Sequence, residues 1–367
     1  GQTGEPFFRA DDFTLWLSPA PLLRGAIEAR EIELRRPTLK LRLNAEGGGN
    51  WQALSISRTA LPFIPSDVAL QSVVITEGTV SIDDSTGREL VRVDGVTGEL
   101  NVAALDGPFK FKGVFNWAGA RHELKASTTT FEADGGLRMK AQISVPATTN
   151  TYTFDGRLAD LSGRARLEGQ LTGQLGFMPS AIGGVAAAAA TDATPARVPI
   201  ELRAAVTADT QAAQITDLGL AFEQDGKPQL VAGSAKISWQ GTIDVQTELT
   251  ARWIDVDQLL GGKGAVKPPE AFQRLAAGLT ALAPARGRGL TSLKADQLTL
   301  GGESLGGAAA VVESSDGVVR LSDLQLGLPG GTRAQLKGLL PTADTFDGDI
   351  VLRGANLARL LTWFGHW

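Results

Sequence analysis

Cysteine is absent, histidine and methionine occur twice each, and tyrosine once in the 367 residues. Without cysteine there is no disulfide and no thiolate metal site. A Ser-His-Asp triad or a histidine metal site would have to be built on His122 or His366. His122 lies in Arg121-His122-Glu123, a polar strand position, and reads as a surface residue; His366 lies at the end of the sequence. Gly261-Gly-Lys-Gly264 lacks the spacing and the hydroxyl of a phosphate-binding loop, and Gly287-Arg-Gly289 reads as a turn. No cofactor and no metal are therefore expected. Long apolar runs are missing too. Ala181 to Ala190 is too short for a bilayer, which needs roughly 20 residues, so any membrane anchor is expected outside this sequence. Both ends, Gly1 and the apolar Leu360 to Trp367, read as interior points of a longer chain. A basic surplus is lacking as well. With 35 Lys and Arg against 40 Asp and Glu, nucleic acid is not the expected partner.

What is abundant is glycine, 44 residues of it, scattered among short apolar runs. Runs of four to eight residues recur about every ten, divided by Gly, Asp and Asn: Val73/Ile75, Val80/Ile82, Leu90/Val93, Leu100/Val102 and onward. This beat predicts a mainly β protein, a long antiparallel twisted sheet curled into an elongated groove. The expected organisation is a β-groove region over 1–175, a low-complexity linker or loop over 176–197, and a second β region over 198–367. One or two short helices are expected, the best about 269–283, where Phe272, Leu275, Leu279 and Leu282 recur at helical spacing between prolines. Val256 to Leu260 reads as a helical turn, and Ala355 to Trp367 as a second helix.

The most organised stretch is Asp106 to Trp117. Phe109, Phe111, Phe115 and Trp117 take alternate positions, with Lys110, Lys112 and Asn116 between them. Strand side chains alternate between faces, so this segment carries one apolar and one polar face. Leu137, Met139, Ile143 and Val145 repeat the alternation, and these eight residues are the candidate ligand-facing surface. Such a stripe is equally what the core of a closed sandwich would need. Many one-faced strands with one convincing helix to cover them leave apolar surface over, and acyl chains could shelter it.

Other candidates read as structural. Arg24, Arg30, Arg35, Arg36, Lys40 and Arg42 suit a solvated strand face, with anionic headgroups the sharper alternative. Asp83-Asp84 opens a turn, and Asp255/Asp257 flank a helix start where capping occupies at least one carboxylate. A carbohydrate-active enzyme would need carboxylates clustered with aromatics, and aromatics are only 6% of the chain.

An ordered set of short segments carries a resemblance. It comprises Leu17-Ser-Pro-Ala-Pro-Leu-Leu-Arg-Gly25, Ile32-Glu-Leu-Arg-Arg-Pro37, Asn44-Ala-Glu-Gly47 with Asn50-Trp51, and Gly78-Thr-Val-Ser-Ile-Asp83. Gly107-Pro-Phe109, Ala295-Asp-Gln-Leu-Thr-Leu-Gly-Gly302 and Leu328-Pro-Gly-Gly-Thr332 continue it. In these the chain resembles the AsmA family of bacterial envelope proteins. The resemblance implies an inner-membrane helix outside this sequence, a periplasmic repeating β-groove, and movement of phospholipids between inner and outer membranes. It implies phospholipid acyl chains, the membrane surface and other envelope proteins as partners, with no enzymatic activity. The alternative expectation is a scaffold that assists outer-membrane protein assembly by pairing its open sheet edge with client strands.

Overall fold

The computed structural model describes residues 7–22, 29–46, 48–51, 71–104, 106–161, 163–177, 198–224, 226–260, 265–282, 287–342 and 345–365. It is mainly β, with about two thirds of the chain in strands and a sheet not closed into a barrel. Among the described residues most strand pairs are antiparallel, as the turn spacing predicts, but three are parallel, so the sheet is mixed. Two compact units divide the chain: Gly1–Gly173 with Ala205–Ala213 and Trp239–Gly241, and Gln174–Ala204 with Gln214–Ser238 and Thr242–Trp367. The low-complexity residues 178–197 lie outside the described residues.

In the first unit, β1 (Phe8–Arg9) and β2 (Asp12–Leu17) are followed by a helical turn, α1 (Pro19–Leu22), then β3 (Ala29–Arg35) and β4 (Thr38–Arg42). An antiparallel meander continues through β5 (Ser72–Asp83), β6 (Glu89–Val102), β7 (Phe109–Trp117), β8 (Ala120–Thr128), β9 (Leu137–Val145) and β10 (Asn150–Ala159). Strands β3 and β4 lie one after the other along β5 and parallel to it. On their far side, β2 and β1 pair antiparallel with β3 and β4.

A line of irregularities keeps the apolar residues of this unit in phase. Val73 and Ile75 are odd-numbered, Val80 and Ile82 even-numbered, so plain alternation would put them on opposite faces. Glu77, with φ 56°, is an extra residue in β5, and Gly95, with φ 64°, is the matching extra residue in β6. Each bulge shifts its strand by one step. Val80 then opposes Val93, and Ile82 opposes Val91, on the face of Val73 and Ile75. Level with them, β3 and β4 are separated at Arg36 (φ 46°), whose Nε donates to Asp11 Oδ2 at 2.8 Å, between β1 and β2.

Three further strands, β11 (Arg166–Phe177), β12 (Val198–Ala208) and β13 (Ala212–Gln224), follow in sequence. In the second unit β14 (Lys227–Ser238) pairs with β15 (Asp244–Asp255). The chain leaves β15 through α2 (Val256–Leu259), crosses by α3 (Pro268–Leu282) and returns as β16 (Arg288–Leu300), parallel to β15. Both β17 (Glu303–Leu305) and β18 (Ala308–Ser315) pair with β16. Then come β19 (Val318–Leu328), β20 (Thr332–Thr342), β21 (Thr345–Arg353) and α4 (Leu357–Gly365). The helices fall where helical spacing and proline placed them, because proline lacks the N–H a helix interior needs and fits its first turn. Leu260, Ala271, Leu300, Leu305, Leu360 and Trp363 form one buried cluster; Val312, Val319, Leu321 and Leu340 form another beneath Ala276 and Leu279.

Candidate functional site

Directly opposed residues of neighbouring strands share a face, so the registers sort the side chains of β5 to β10. One row runs Val73, Leu100, Phe111, Ala126, Ala141, Phe154. The next runs Ile75, Gly98, Gly113, Leu124, Ile143, Tyr152. Phe109 opposes Val102, Phe115 opposes His122, Met139 opposes Thr128, Leu137 opposes Leu158, and Val145 opposes Asn150. Counting along each strand, all eight candidate residues stand on one face. The other face carries rows such as Glu99, Lys112, Lys125, Gln142, Thr153.

Leu137 and Val145 are buried, and Phe109, Phe111, Phe115, Met139 and Ile143 are half-buried. Trp117 is 50% exposed. A face sealed under a second sheet would bury it. The eight residues therefore share a face whose shelter varies along its length.

Two of them have structural duties. A methyl group added at Gly113 would lie 2.7 Å from Phe111 Cζ and 2.9 Å from Gly98 Cα, so the Phe111 ring occupies the space left by this cross-strand glycine pair. Phe154 covers Gly156 and Gly169 in the same way, and Phe346 of the second unit covers Gly338, which pairs with Gly348. Phe111-Lys-Gly113, Phe154-Asp-Gly156 and Phe346-Asp-Gly348 are the three Phe-x-Gly triplets of the chain, a signal in the sequence that alternation alone does not single out. Phe115 stacks on His122, ring centroids 5.1 Å apart and planes at 11°.

That stacking corrects the expectation for His122. It is 7% exposed, on the apolar face, with Nδ1 2.9 Å from Ala120 O and Trp117 5.9 Å away. Arg121 and Glu123 point to the polar face while His122 alternates away from them, which its charged neighbours concealed.

A hollow of about 620 Å3 in the first unit is centred on the row Ile75, Gly98, Gly113, Leu124, with their strand neighbours completing its lining. None of the eight candidates lines it. The basic residues near the N-terminus meet acids: Arg35 lies 3.9 Å from Asp12, Arg36 2.8 Å from Asp11, and Arg42 4.0 Å from Asp83. This fits a solvated strand face; Arg24 lies outside the described residues.

Three carboxylates of the acidic pairs, Asp84, Asp255 and Asp257, accept hydrogen bonds from the backbone, while Asp83 faces Arg42 at 4.0 Å. Asp84 Oδ1 accepts from Thr86 N (2.9 Å), Thr86 Oγ1 (2.6 Å) and Arg88 N (3.0 Å), and Oδ2 meets Arg88 at 3.0 Å. Burial alone would raise this carboxyl, but the hydrogen bonds from Thr86 and Arg88 hold it below the usual carboxylate range. Asp255 caps α2, accepting from Gln258 N at 3.1 Å. Asp257, buried, accepts from Val266 N (3.0 Å), Gly301 N and Gly302 N (both 2.9 Å), clamping α2 to the turn after β16.

Among the described residues no group of three His, Asp or Glu could hold a metal ion, and no helix is long and apolar enough to cross a membrane. Gly261 to Gly264 and His366 lie outside them. No protein-family model, curated protein or solved structure matches the chain.

Proposed function

We propose that the chain is the periplasmic part of an inner-membrane-anchored envelope protein that binds or conducts phospholipids, without enzymatic chemistry, through the apolar face of β5 to β10. One observation carries this reading: six consecutive strands place their apolar residues on one face, and Trp117 at its margin is half exposed. The resemblance to the AsmA family supplies the compartment and the class of ligand. Each methylene moved from water onto such a face contributes about 0.8 kcal/mol. Ten of them contribute about 8 kcal/mol, comparable with the roughly 4–15 kcal/mol that association costs in lost freedom. Continuity of the lining therefore matters more than any one side chain.

The test is mass spectrometry of organic extracts from the purified chain and two variants. Phe111 and Phe115 are unsuitable targets, because one fills the glycine gap and the other stacks on His122. Ile143→Asp puts a carboxylate on the face clear of both devices, and Trp117→Asp puts one at its exposed margin, where it removes the ring bordering His122 but leaves the Phe115–His122 stack in place. Phospholipid should accompany the wild-type chain and fall severalfold in both variants, with circular dichroism unchanged. Equal lipid in all three would refute the reading. A scaffold working through its strand edges would show that equality.

A further inference from the structure

The two outermost strands of the described sheet both carry exposed apolar side chains. In β2 every residue is exposed, Phe13 at 60%, with Leu15, Trp16 and Leu17 beside it. Its one strand partner is β3. In β21 all residues but Phe346 are exposed, Ile350 at 57%, with Val351 and Leu352 beside it, and its one strand partner is β20. Among the described residues each strand thus presents an unpaired backbone edge, and soluble sheets normally blunt such edges with charged residues such as lysine, with proline or with a covering segment. Neither strand contains lysine or proline. The sheet is not closed into a barrel, and among the described residues neither strand pairs with the other.

Set antiparallel, the two edges match. With Asp12 opposite Arg353, Phe13 falls opposite Leu352 and Leu15 opposite Ile350. Phe13 and Leu15 belong to the apolar face of the first unit, through Leu34 with Ile75 and Ile32 with Val73. Leu352 and Ile350 belong to the apolar face of the second unit, through Ala334 with Leu326 and Leu336 with Leu324. In this register apolar meets apolar on one side of the sheet and the single acid–base pair closes the end. Pairing β21 with itself about Ile350 also opposes Asp347 and Arg353, but sets Gly348 against Leu352 and Asp349 against Val351. One apolar contact survives that arrangement, and two are made in the other.

We propose that copies of this chain associate head to tail, β2 of one adding antiparallel to β21 of the next with Asp12 against Arg353. The contact joins unlike surfaces, so it leaves one free β2 and one free β21 edge and permits further addition. Six residue pairs make a small interface, and association is therefore weak and concentration-dependent. In such a pair the apolar faces of successive copies are continuous.

Sedimentation velocity on the full chain from about 5 to about 500 µM reads the equilibrium. The wild-type sedimentation coefficient should rise with concentration. Asp12→Arg and Arg353→Asp each replace attraction by repulsion and should weaken association about tenfold. The double swap, Asp12→Arg with Arg353→Asp, should restore it. Leu15→Lys, at an exposed apolar position of the pair, should abolish it. Asp12 and Arg353 are exposed; Asp12→Arg also loses the ion pair of Asp12 with Arg35, a surface contact of at most about 1 kcal/mol, and circular dichroism checks that the fold is kept. A monomer at every concentration would overturn the proposal. So would Asp12→Arg associating as the wild type does, which is the behaviour of β21 self-pairing, or a double swap no better than the singles. None of these outcomes bears on lipid content, which the extraction experiment reads separately.

Discussion

A phenylalanine two residues before a glycine does more here than fill an apolar face. At Gly98 and Gly113 the strands approach so closely that no Cβ fits, and the ring of Phe111 lies over the gap. Gly113→Ala should therefore cost more than about 2 kcal/mol, since the new methyl meets Thr97 O at 2.6 Å and backbone cannot yield cheaply. Phe111→Ala should cost about 3 kcal/mol, the lower end for a lost phenylalanine because the ring is only half-buried. Lys112→Ala, between them on the polar face, should change stability by less than about 0.5 kcal/mol. Urea unfolding of the three variants checks the order. Asp84 makes a separate prediction. Its carboxyl is held below the ordinary value near 3.9 in the folded chain, so its contribution is complete above that value and is lost as pH falls through the lowered one. Asp84→Asn should remove stability at neutral pH and flatten the decline below about pH 4, read as melting temperature against pH.

At the scale of elements, the parallel joins are where the chain departs from a plain meander. Between β15 and β16 the crossover holds α2 and α3, and its geometry depends on Asp257 satisfying three backbone N–H groups. Two of those belong to Gly301 and Gly302, whose φ of 62° and 72° form the tight turn between β16 and β17. Asp257→Ala would strand the three donors and should cost 3 kcal/mol or more, at about 1–3 kcal/mol for each group left unpaired. Asp257→Asn keeps one acceptor oxygen and should cost less. Thermal unfolding ranks the pair. The helices were legible from 3.6-residue spacing and flanking prolines, because both signals act within one segment. The parallel pairing was not legible: Asp244 to Asp255 lies beside Arg288 to Leu300 only through a crossover whose length carries no alternation signal. The inserted residues at Glu77 and Gly95 were hidden for a related reason. A bulge is visible only against the partner strand.

For the molecule as a whole, the fate of its apolar surface separates the readings. The first unit turns one face of six strands apolar, and the second shelters Val312, Val319, Leu321 and Leu340 beneath α3. Lipid extraction tests whether the first of these faces takes acyl chains, and sedimentation tests whether the free edges take another copy. The results are independent, since Trp117 stands on β7 and Ile143 on β9, and neither belongs to β2 or β21.

The amino-acid sequence by itself determined which side chains share a face along an unbulged strand, because a strand's period of two is a property of its own backbone. It thereby grouped Phe109, Phe111, Phe115 and Trp117 on one side of β7, and Leu137, Met139, Ile143 and Val145 on one side of β9; the register through β8 put the two groups on the same face. Only the tertiary structure decided that His122 joins them, that Phe111 closes a glycine gap, and that β2 and β21 are left as edges. Each of those depends on which strand lies alongside. That choice is made by hydrogen bonds between segments far apart in the chain, and no local pattern records it.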